Sequence, residues 1–208
     1  MTSGVDRALG PLNVSRETLD KLERYTEHLT RWNTRINIVS ARSLEHVWTR
    51  HIADTAQLYS LAPKGAGRWV DLGSGGGLPG LVAAILADGD GSATEFVLVE
   101  ADRRKSAFLR SAARACGISV RVISERAEDI PPLDAHVLSA RALAPLSQLL
   151  VYAERHLAKS GTALFPKGVK YRDELKLALE SWQFRCEEFP SRTEPGAVLL
   201  GLGDIRRA

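Results

Sequence analysis

The residues best suited to bind a ligand form the stretch Asp71-Leu72-Gly73-Ser74-Gly75-Gly76-Gly77-Leu78-Pro79-Gly80. The apolar segment Arg68-Trp69-Val70 precedes it as a strand, and residues 81–86 follow it as a helix. A strand, a tight turn and a helix in this order present unpaired backbone N–H groups at the positive end of the helix. Alternating glycines permit positive φ angles and let a ligand approach the main chain closely. The stretch therefore predicts a ligand-binding cradle.

Two classes of cofactor fit this cradle. The run Gly75-Gly76-Gly77-Leu78-Pro79-Gly80 matches G-x-G-x-x-G, the fingerprint of dinucleotide binding. Asp71, Gly73, Gly75 and Gly77 match the acidic-x-G-x-G-x-G loop of Rossmann-like methyltransferases that use S-adenosylmethionine. A pyrophosphate favours free N–H donors, whereas a sulfonium favours a nearby carboxylate, which Asp71 supplies. Asp71 also suits a structural cap of the glycine turn, and the loop alone leaves the cofactor open.

Further polar residues stand where other predicted strands end. Glu100 ends the second strand beside the glycine loop, where a carboxylate reaches a ribose diol. The polar turn at 125–130, which contains Ala127 and Glu128, suits the edge of an adenine. Arg141 and Lys167 end the fourth and fifth strands, at the rim where open α/β sheets bind ligands. For Arg141 the alternative is a surface salt bridge, and for Lys167 it is a solvated surface position.

Hydrophobic periodicity predicts the elements that position these residues. A helix capped by Ser15 runs to about Trp32, and a second helix runs from Ser43 to about Leu61. Beyond them strands and helices alternate, as in a parallel sheet covered on both faces. The predicted strands are 68–72, 95–100, 119–123, 135–139 and 161–165, the helices are 78–87, 102–115, 145–157 and 171–182, and 184–189 pairs with 197–202 as an antiparallel hairpin. Residues 1–63 are expected to form a helical extension packed on a catalytic domain, 64–208.

Composition narrows the function classes. The chain has 208 residues, 44% hydrophobic and 25% charged, as in globular proteins, and its net charge of +3 does not by itself indicate nucleic acid. From Glu100 to Arg126, however, the sequence has seven basic residues and three acidic ones. Such a patch suits a phosphate backbone, or equally a solvated helix face. Cys116 and Cys186 lack metal-site spacing, and we expect no metal, no membrane span and a cytoplasmic location.

The motifs taken together resemble one family, the bacterial 16S ribosomal RNA guanine-N7 methyltransferases, historically called glucose-inhibited division protein B. The resemblance covers roughly residues 20–170. The Leu78-Pro79-Gly80 continuation and Arg50-His51-x-x-Asp54 are its most specific elements. The motifs that carry it are Trp32-Asn33-x-x-x-Asn37, Arg50-His51-x-x-Asp54, the glycine stretch 71–80, Arg104-Lys105, Arg141-Ala142 and Lys167-Gly168.

The resemblance implies a Rossmann-like class I methyltransferase fold, S-adenosyl-L-methionine as methyl donor, and a guanine of 16S ribosomal RNA (guanine 527 by the family's convention) as acceptor. It further implies that Gly73 and Leu78 line the cofactor pocket, Glu100 holds the ribose, and Ala127 and Glu128 flank the adenine. Arg141 would lie beside the donor and the target base. The side facing RNA or the small ribosomal subunit would comprise Asn33, Asn37, Arg50, His51, Asp54, Arg104, Lys105 and Lys167. Arg50, His51 and Asp54 have a second interpretation, which is bracing of the extension.

The chain departs from many family members near its end, where they carry an arginine and this sequence reads Glu194-Pro195-Gly196, with Arg192 nearby. The predicted reaction needs no general base, because guanine N7 carries a lone pair and no proton, and the protein is expected to act as a monomer. Two alternatives stay open: a nicotinamide-dependent oxidoreductase, for which no Tyr-x-x-x-Lys pair is evident, and an RNA-binding protein without catalytic activity.

Overall fold

The computed structural model describes residues 9, 12, 14–65 and 67–208, without the side chain of Arg42. Of the predicted extension, residues 1–8, 10, 11 and 13 therefore lie outside the described residues. The described part of the chain contains one seven-stranded sheet, whose strands are β1 (Arg68–Leu72), β2 (Glu95–Val99), β3 (Arg121–Ile123), β4 (Ala135–Ala140), β5 (Leu157–Lys167), β6 (Trp182–Pro190) and β7 (Val198–Arg207). Their order is β3-β2-β1-β4-β5-β7-β6, and all are parallel except for β7, which runs antiparallel to both neighbours.

Helices cover both faces of the sheet, and their ends carry the expected signals. Asp102 accepts hydrogen bonds from the backbone N–H groups of Arg104 and Lys105 at the start of the helix Arg103–Cys116, and Gly117 ends that helix at φ 68°. The helices are α1 (Arg16–Asn33), α2 (Ala41–Glu45), a π-helical segment (Val47–Ile52), α3 (Ala53–Leu61), α4 (Gly80–Gly89), α5 (Arg103–Cys116), α6 (Leu146–His156) and α7 (Tyr171–Leu179).

Alternation along the strands sends side chains into two separate cores. In β1, Trp69 faces the core shared with the extension, α4 and α5, while Val70 faces the core beneath α6 and α7. Helix α4 is buried on all sides from Gly80 to Ala87 because the sheet covers one side and the extension the other. The extension therefore forms a second helical layer over the elements that follow the glycine loop.

The first helix of the extension follows the prediction and the second does not. Ser15 caps α1 by accepting from the N–H of Thr18. The single helix predicted from Ser43 is instead broken at His46, and Ser40 caps its first part by accepting from the N–H of Ser43. A π-helical segment follows, which carries Arg50 and His51.

The mixed sheet with an antiparallel hairpin confirms the predicted fold class, although β5 and β7 are longer than predicted. The pairing of β5 with β7 extends from Ala163–Leu202 to Lys167–Val198. Strand ends depend on such partners, which local sequence does not encode. None of the helices formed by the described residues is both long enough and apolar enough to cross a bilayer.

Candidate functional site

The glycine loop lies between the end of β1 and the start of α4. Gly73, Gly75 and Gly77 have φ angles of 64°, 52° and 81°, the left-handed region that favours glycine. A Cβ atom on Gly77 would lie 2.7 Å from Cβ of Leu81, which leaves no room for a side chain. Leu78 is buried behind the loop, and the Leu78–Pro79 peptide bond is cis.

Asp71 lies beneath this loop, where it joins β1, β4 and α4. Its Oδ1 accepts from the hydroxyl of Ser139 at 2.6 Å and its Oδ2 from the backbone N–H of Gly80 at 3.1 Å. The Ser139 oxygen in turn accepts from Nε1 of Trp69 at 2.9 Å. Burial raises the pKa of Asp71 to about 6, although these hydrogen bonds act to lower it. The capping role is thus what the structure displays, and direct contact between Asp71 and a cofactor stays a prediction.

Glu100 stands at the end of β2 against the glycine loop. Its Oε2 accepts from the N–H of Gly75 at 2.8 Å, and its Oε1 accepts from the N–H of Asp102 at 2.9 Å. These bonds fix the carboxylate beside the loop, and each oxygen keeps a further lone pair for another donor. The arrangement suits a pair of ribose hydroxyls.

The predicted adenine turn follows β3. Ala127 is buried, and its carbonyl oxygen accepts from Nε2 of the buried His156 at 2.8 Å. Glu128 is exposed and lies between the guanidinium of Arg126, at 3.2 Å, and the hydroxyl of Tyr152, at 3.4 Å. The glycine loop, Glu100 and this turn together fit S-adenosylmethionine. They place a glycine-rich loop, a carboxylate suited to the ribose hydroxyls and a small apolar residue suited to the adenine at the ends of β1, β2 and β3.

Arg141 follows β4, and its guanidinium faces the extension. Its Nη1 donates to Nδ1 of His51 at 2.7 Å, and no carboxylate of the described residues lies within salt-bridge distance of it. Burial lowers its pKa from the usual arginine value, while the nearby carboxyl of Asp54 acts in the opposite direction. A half-buried guanidinium with so few partners is costly, which is typical of functional sites.

The other residues of Arg50-His51-x-x-Asp54 contact the loop between β6 and β7. Arg50 forms an ion pair with Glu194 at 2.6 Å, and Asp54 accepts from the hydroxyl of Thr193. Arg192 uses its backbone N–H to reach the side chain of Gln57 at 3.0 Å. Bracing is therefore one role of Arg50 and Asp54, and their predicted contact with RNA stays a prediction.

Asn33 secures the loop that joins α1 to α2. Its Oδ1 accepts from the N–H groups of Ile38 and Val39, both at 2.9 Å, and its Nδ2 donates to the carbonyl of Val39. The methyl group of Ile38 lies against the glycine loop, since a Cβ atom on Gly76 would approach it to 3.1 Å. Asn37, in the same loop, is exposed.

The predicted lysine and arginine contacts differ in accessibility. Lys167 has a side chain only 9% exposed and pairs with Glu174 at 2.6 Å. Its ammonium group also donates to the carbonyl of Ala144 at 3.2 Å, so it braces the loop after β4. Arg104 and Lys105 begin α5, and the Arg104 side chain is 74% exposed.

A cavity of about 880 Å³ joins several of these groups at the carboxyl rim of the sheet. The extension, the loops after β4 and β5, and the β6–β7 loop form its walls, which include Arg50, His51, Asp54, Arg141 and Lys167. Asn33, Asn37, Arg104 and Lys105 are not among its lining residues. The structure thus brings together four of the eight residues predicted to face RNA, and it places them in one cavity with Arg141.

Two residues that position the site were not among the predicted site residues. The Tyr25 hydroxyl, fully buried in α1, donates to the carbonyl of Gly76 at 2.6 Å. Leu143 packs its Cδ1 over the loop, where a Cβ atom on Gly73 would lie 2.6 Å from it. A tyrosine on the apolar face of α1 is a signal in itself, because a buried phenol needs a hydrogen-bond partner.

Comparisons with known proteins identify the family. The model of the rRNA small subunit methyltransferase G (GidB) family matches residues 18–194. Proteins named ribosomal RNA small subunit methyltransferase G are similar to this chain: that of Ruegeria pomeroyi is 57% identical over 94% of this chain and 96% of its own length. That of Rhodospirillum centenum is 52% identical over 92% of this chain and 87% of its own.

Solved structures share the fold at low sequence identity. A TehB-like SAM-dependent methyltransferase from Corynebacterium glutamicum superposes with a TM-score of 0.58 and 16% identity, over 85% of this chain and 98% of that one. A ribosomal protein L11 methylase from Lactobacillus delbrueckii subsp. bulgaricus gives 0.58 and 17%, over 76% and 78%.

These findings decide between the cofactors that the glycine loop left open. The predicted S-adenosylmethionine is confirmed as the cofactor, and the nicotinamide alternative is wrong. The chain belongs to the rRNA small subunit methyltransferase G family, as its motifs predicted, and it is an S-adenosylmethionine-dependent methyltransferase of ribosomal RNA.

Proposed function

We propose that this chain transfers the methyl group of S-adenosylmethionine to N7 of a guanine in 16S ribosomal RNA, guanine 527 by the family's convention. Family membership supports the class of substrate. The observation that carries the choice of base is Arg141, whose guanidinium is held in the rim cavity by one hydrogen bond from Nη1 to His51. Its remaining N–H groups are available for a substrate acceptor.

A guanidinium in this place favours guanine over adenine. Arginine has five N–H donors and no acceptor, and guanine presents the acceptor O6 beside N7. Adenine presents an amino group where guanine has O6, so a guanidinium would meet a donor instead of an acceptor. A contact of Arg141 with O6 alone leaves the lone pair of N7 free to react.

The proposed reaction requires orientation and no proton transfer. When bound, S-adenosylmethionine would supply an electrophilic methyl group on sulfur. The lone pair of guanine N7, which bears no proton, would form the new N–C bond as the C–S bond breaks and S-adenosylhomocysteine leaves. The protein has to hold the base in line, and such positioning contributes as much as about 7–11 kcal/mol to lowering a barrier. Arg141 orients the base. Asp54, in the same cavity, offsets the positive charge of the guanidinium, which would otherwise oppose the positive charge that develops on the guanine ring.

The residues at the strand ends would hold the cofactor. The backbone at Gly73, Gly75 and Gly77 lines it, together with Leu78, and Asp71 fixes the loop from below. Glu100 would accept from the ribose hydroxyls, since its carboxylate is fixed by Gly75. Ala127 and Glu128 would flank the adenine.

The remaining predicted residues would face the RNA. The exposed Arg104 and the half-buried Lys105 present positive charge at the start of α5, which suits phosphate groups. Asn37 is exposed on the loop beside the glycine turn, and Arg50 lies at the cavity wall. Asn33 and Lys167 would act by fixing loops, because their polar groups are already bonded within the protein.

The test is a map of N7-methylguanine in 16S ribosomal RNA by reduction and strand cleavage. Cells that lack the protein should lose one cleavage site, and the wild-type gene should restore it. Arg141→Ala should fail to restore it, while its purified protein still binds S-adenosylhomocysteine and keeps its melting temperature. Arg206→Ala, at an exposed position on β7, is the matched control and should restore the site fully.

An unchanged map in the deletion strain would overturn the proposed target. RNA binding without tritium transfer from labelled S-adenosylmethionine, by the wild-type protein on assembled subunits or naked RNA, would instead support an RNA-binding protein without catalytic activity. Full restoration by Arg141→Ala would remove Arg141 from the site.

A further inference from the structure

The contact between His51 and Arg141 joins the extension to the catalytic rim. Nη1 of Arg141 lies 2.7 Å from Nδ1 of His51, a residue 90 positions earlier in the chain. A guanidinium can only donate hydrogen bonds, so Nδ1 must be the acceptor. The imidazole is therefore neutral and carries its proton on Nε2.

The surroundings of His51 keep its ring neutral. The side chain is buried, and the positive groups that face it are Arg141, which follows β4, and Arg50, its neighbour on the π-helical segment. Asp54 of α3 directs its carboxylate to Thr193, and Glu194 pairs with Arg50. Burial and the two guanidinium groups lower the pKa of His51 to about 3, so the ring stays an acceptor at physiological pH.

Packing alone does not explain a histidine at this position. Nε2 of His51 is buried and has no hydrogen-bond partner among the residues that the structure describes. An unsatisfied buried polar atom costs about 1–3 kcal/mol, so an apolar side chain of similar size would be less costly. What the histidine adds is the acceptor at Nδ1, and the Arg141 guanidinium is the group that uses it.

We propose that His51 is a positioning residue for methyl transfer: Nδ1 holds the Arg141 guanidinium so that its free N–H groups face the target base. The inference rests on the proposed role of Arg141. His51 itself touches neither the methyl group nor N7, and it acts through the guanidinium. The extension thereby takes part in the chemical step through one hydrogen bond.

The test compares two replacements of similar size. His51→Asn keeps an acceptor, since the amide oxygen of asparagine reaches about the level of Nδ1, whereas His51→Leu has none. We expect His51→Leu to lower kcat about 100-fold, since a small misplacement of an orienting group has effects of that order. KM for S-adenosylmethionine should change less than about twofold. The kcat of His51→Asn should be at least about tenfold higher than that of His51→Leu.

Two controls separate positioning from stability. His46→Asn removes an exposed histidine five residues earlier and should keep wild-type kinetics. In an Arg141→Ala background, His51→Leu should lower kcat less than about twofold further, because the group that it positions is gone. Equal kcat values for the Leu and Asn variants, or the same loss in both backgrounds, would overturn the proposal.

A readout without substrate keeps this proposal distinct from the proposed function. Nitrogen NMR of labelled histidine should show Nδ1 of His51 unprotonated and Nε2 protonated, without titration between pH 5 and pH 8. Arg141→Ala should change the Nδ1 resonance. A protonated Nδ1 at pH 7 would overturn the inference, whatever base or RNA the enzyme methylates.

Discussion

Tyr25→Phe tests whether the extension secures the glycine loop. The Tyr25 hydroxyl is fully buried and donates to the carbonyl of Gly76 at 2.6 Å. Burial raises the pKa of this phenol far above its usual range, so it is a neutral donor at every pH of interest. Phenylalanine keeps the ring and leaves the Gly76 carbonyl without its partner, at a cost of about 1–3 kcal/mol in the free energy of unfolding. For a chain of this size each kcal/mol lowers Tm by about 2–4 °C.

The loss should also appear in cofactor affinity, because Gly76 lies between two of the glycines that would contact S-adenosylmethionine. Each kcal/mol lost in ordering the loop weakens binding about fivefold. The assays are thermal unfolding and calorimetry with S-adenosylhomocysteine. Tyr59→Phe is the matched control, since its hydroxyl bonds Asp90 at an exposed site and is expected to contribute less than about 1 kcal/mol. Unchanged stability and affinity in Tyr25→Phe would refute the reasoning.

Three further predictions concern the loop, its cap and the cavity wall. Gly73→Ala, at φ 64°, should lower affinity for S-adenosylhomocysteine at least about fivefold, since left-handed backbone costs a non-glycine residue about 1–2 kcal/mol; calorimetry checks this. The raised pKa of Asp71, about 6, means that the folded state binds this proton more tightly than the unfolded state, so its contribution favours folding below pH 4 and is lost as the pH rises through 6, by at most about 1.4 kcal/mol per pH unit. A carboxyl carbon NMR titration of Asp71 with a midpoint near 4 would contradict this. Glu194→Gln frees Arg50 from a half-exposed pair, so the free energy of unfolding should change by less than about 1 kcal/mol, while filter binding across KCl concentrations should show tighter RNA binding and a salt slope steeper by about 1.

The glycine turn between β1 and α4 could be predicted from the sequence because its signals are local. Glycines at alternate positions after an apolar strand require the turn that the structure displays. The positions of Glu100 and Arg141 at the ends of β2 and β4 were predicted because parallel strands place their carboxyl ends on one rim. Both follow from strand order and period alone, without knowledge of which side chains touch.

The partners of the polar residues could not be predicted in this way. Whether Lys167 faces a phosphate or Glu174 depends on where α7 lies relative to the end of β5, which no local pattern specifies. The predicted start of the second helix at Ser43 is wrong by two residues, because the helix begins at Ala41. Serine suits a helix N-cap at either position. In the structure Ser40 is the N-cap, because its hydroxyl accepts from the N–H of Ser43, which lies inside the helix.

The extension contacts both the glycine loop and Arg141. Tyr25 bonds the glycine loop, Ile38 packs on Gly76, and His51 bonds Arg141. An RNA-binding appendage would need surface charge alone, whereas the Tyr25 contact is buried and the His51 contact is partly buried. Buried contacts of this kind restrict the positions of the loop and the guanidinium, and orientation is what a reaction without a general base requires from the protein. With the roles proposed here for the glycine loop and Arg141, the extension belongs to the catalytic framework and is not a separate binding module.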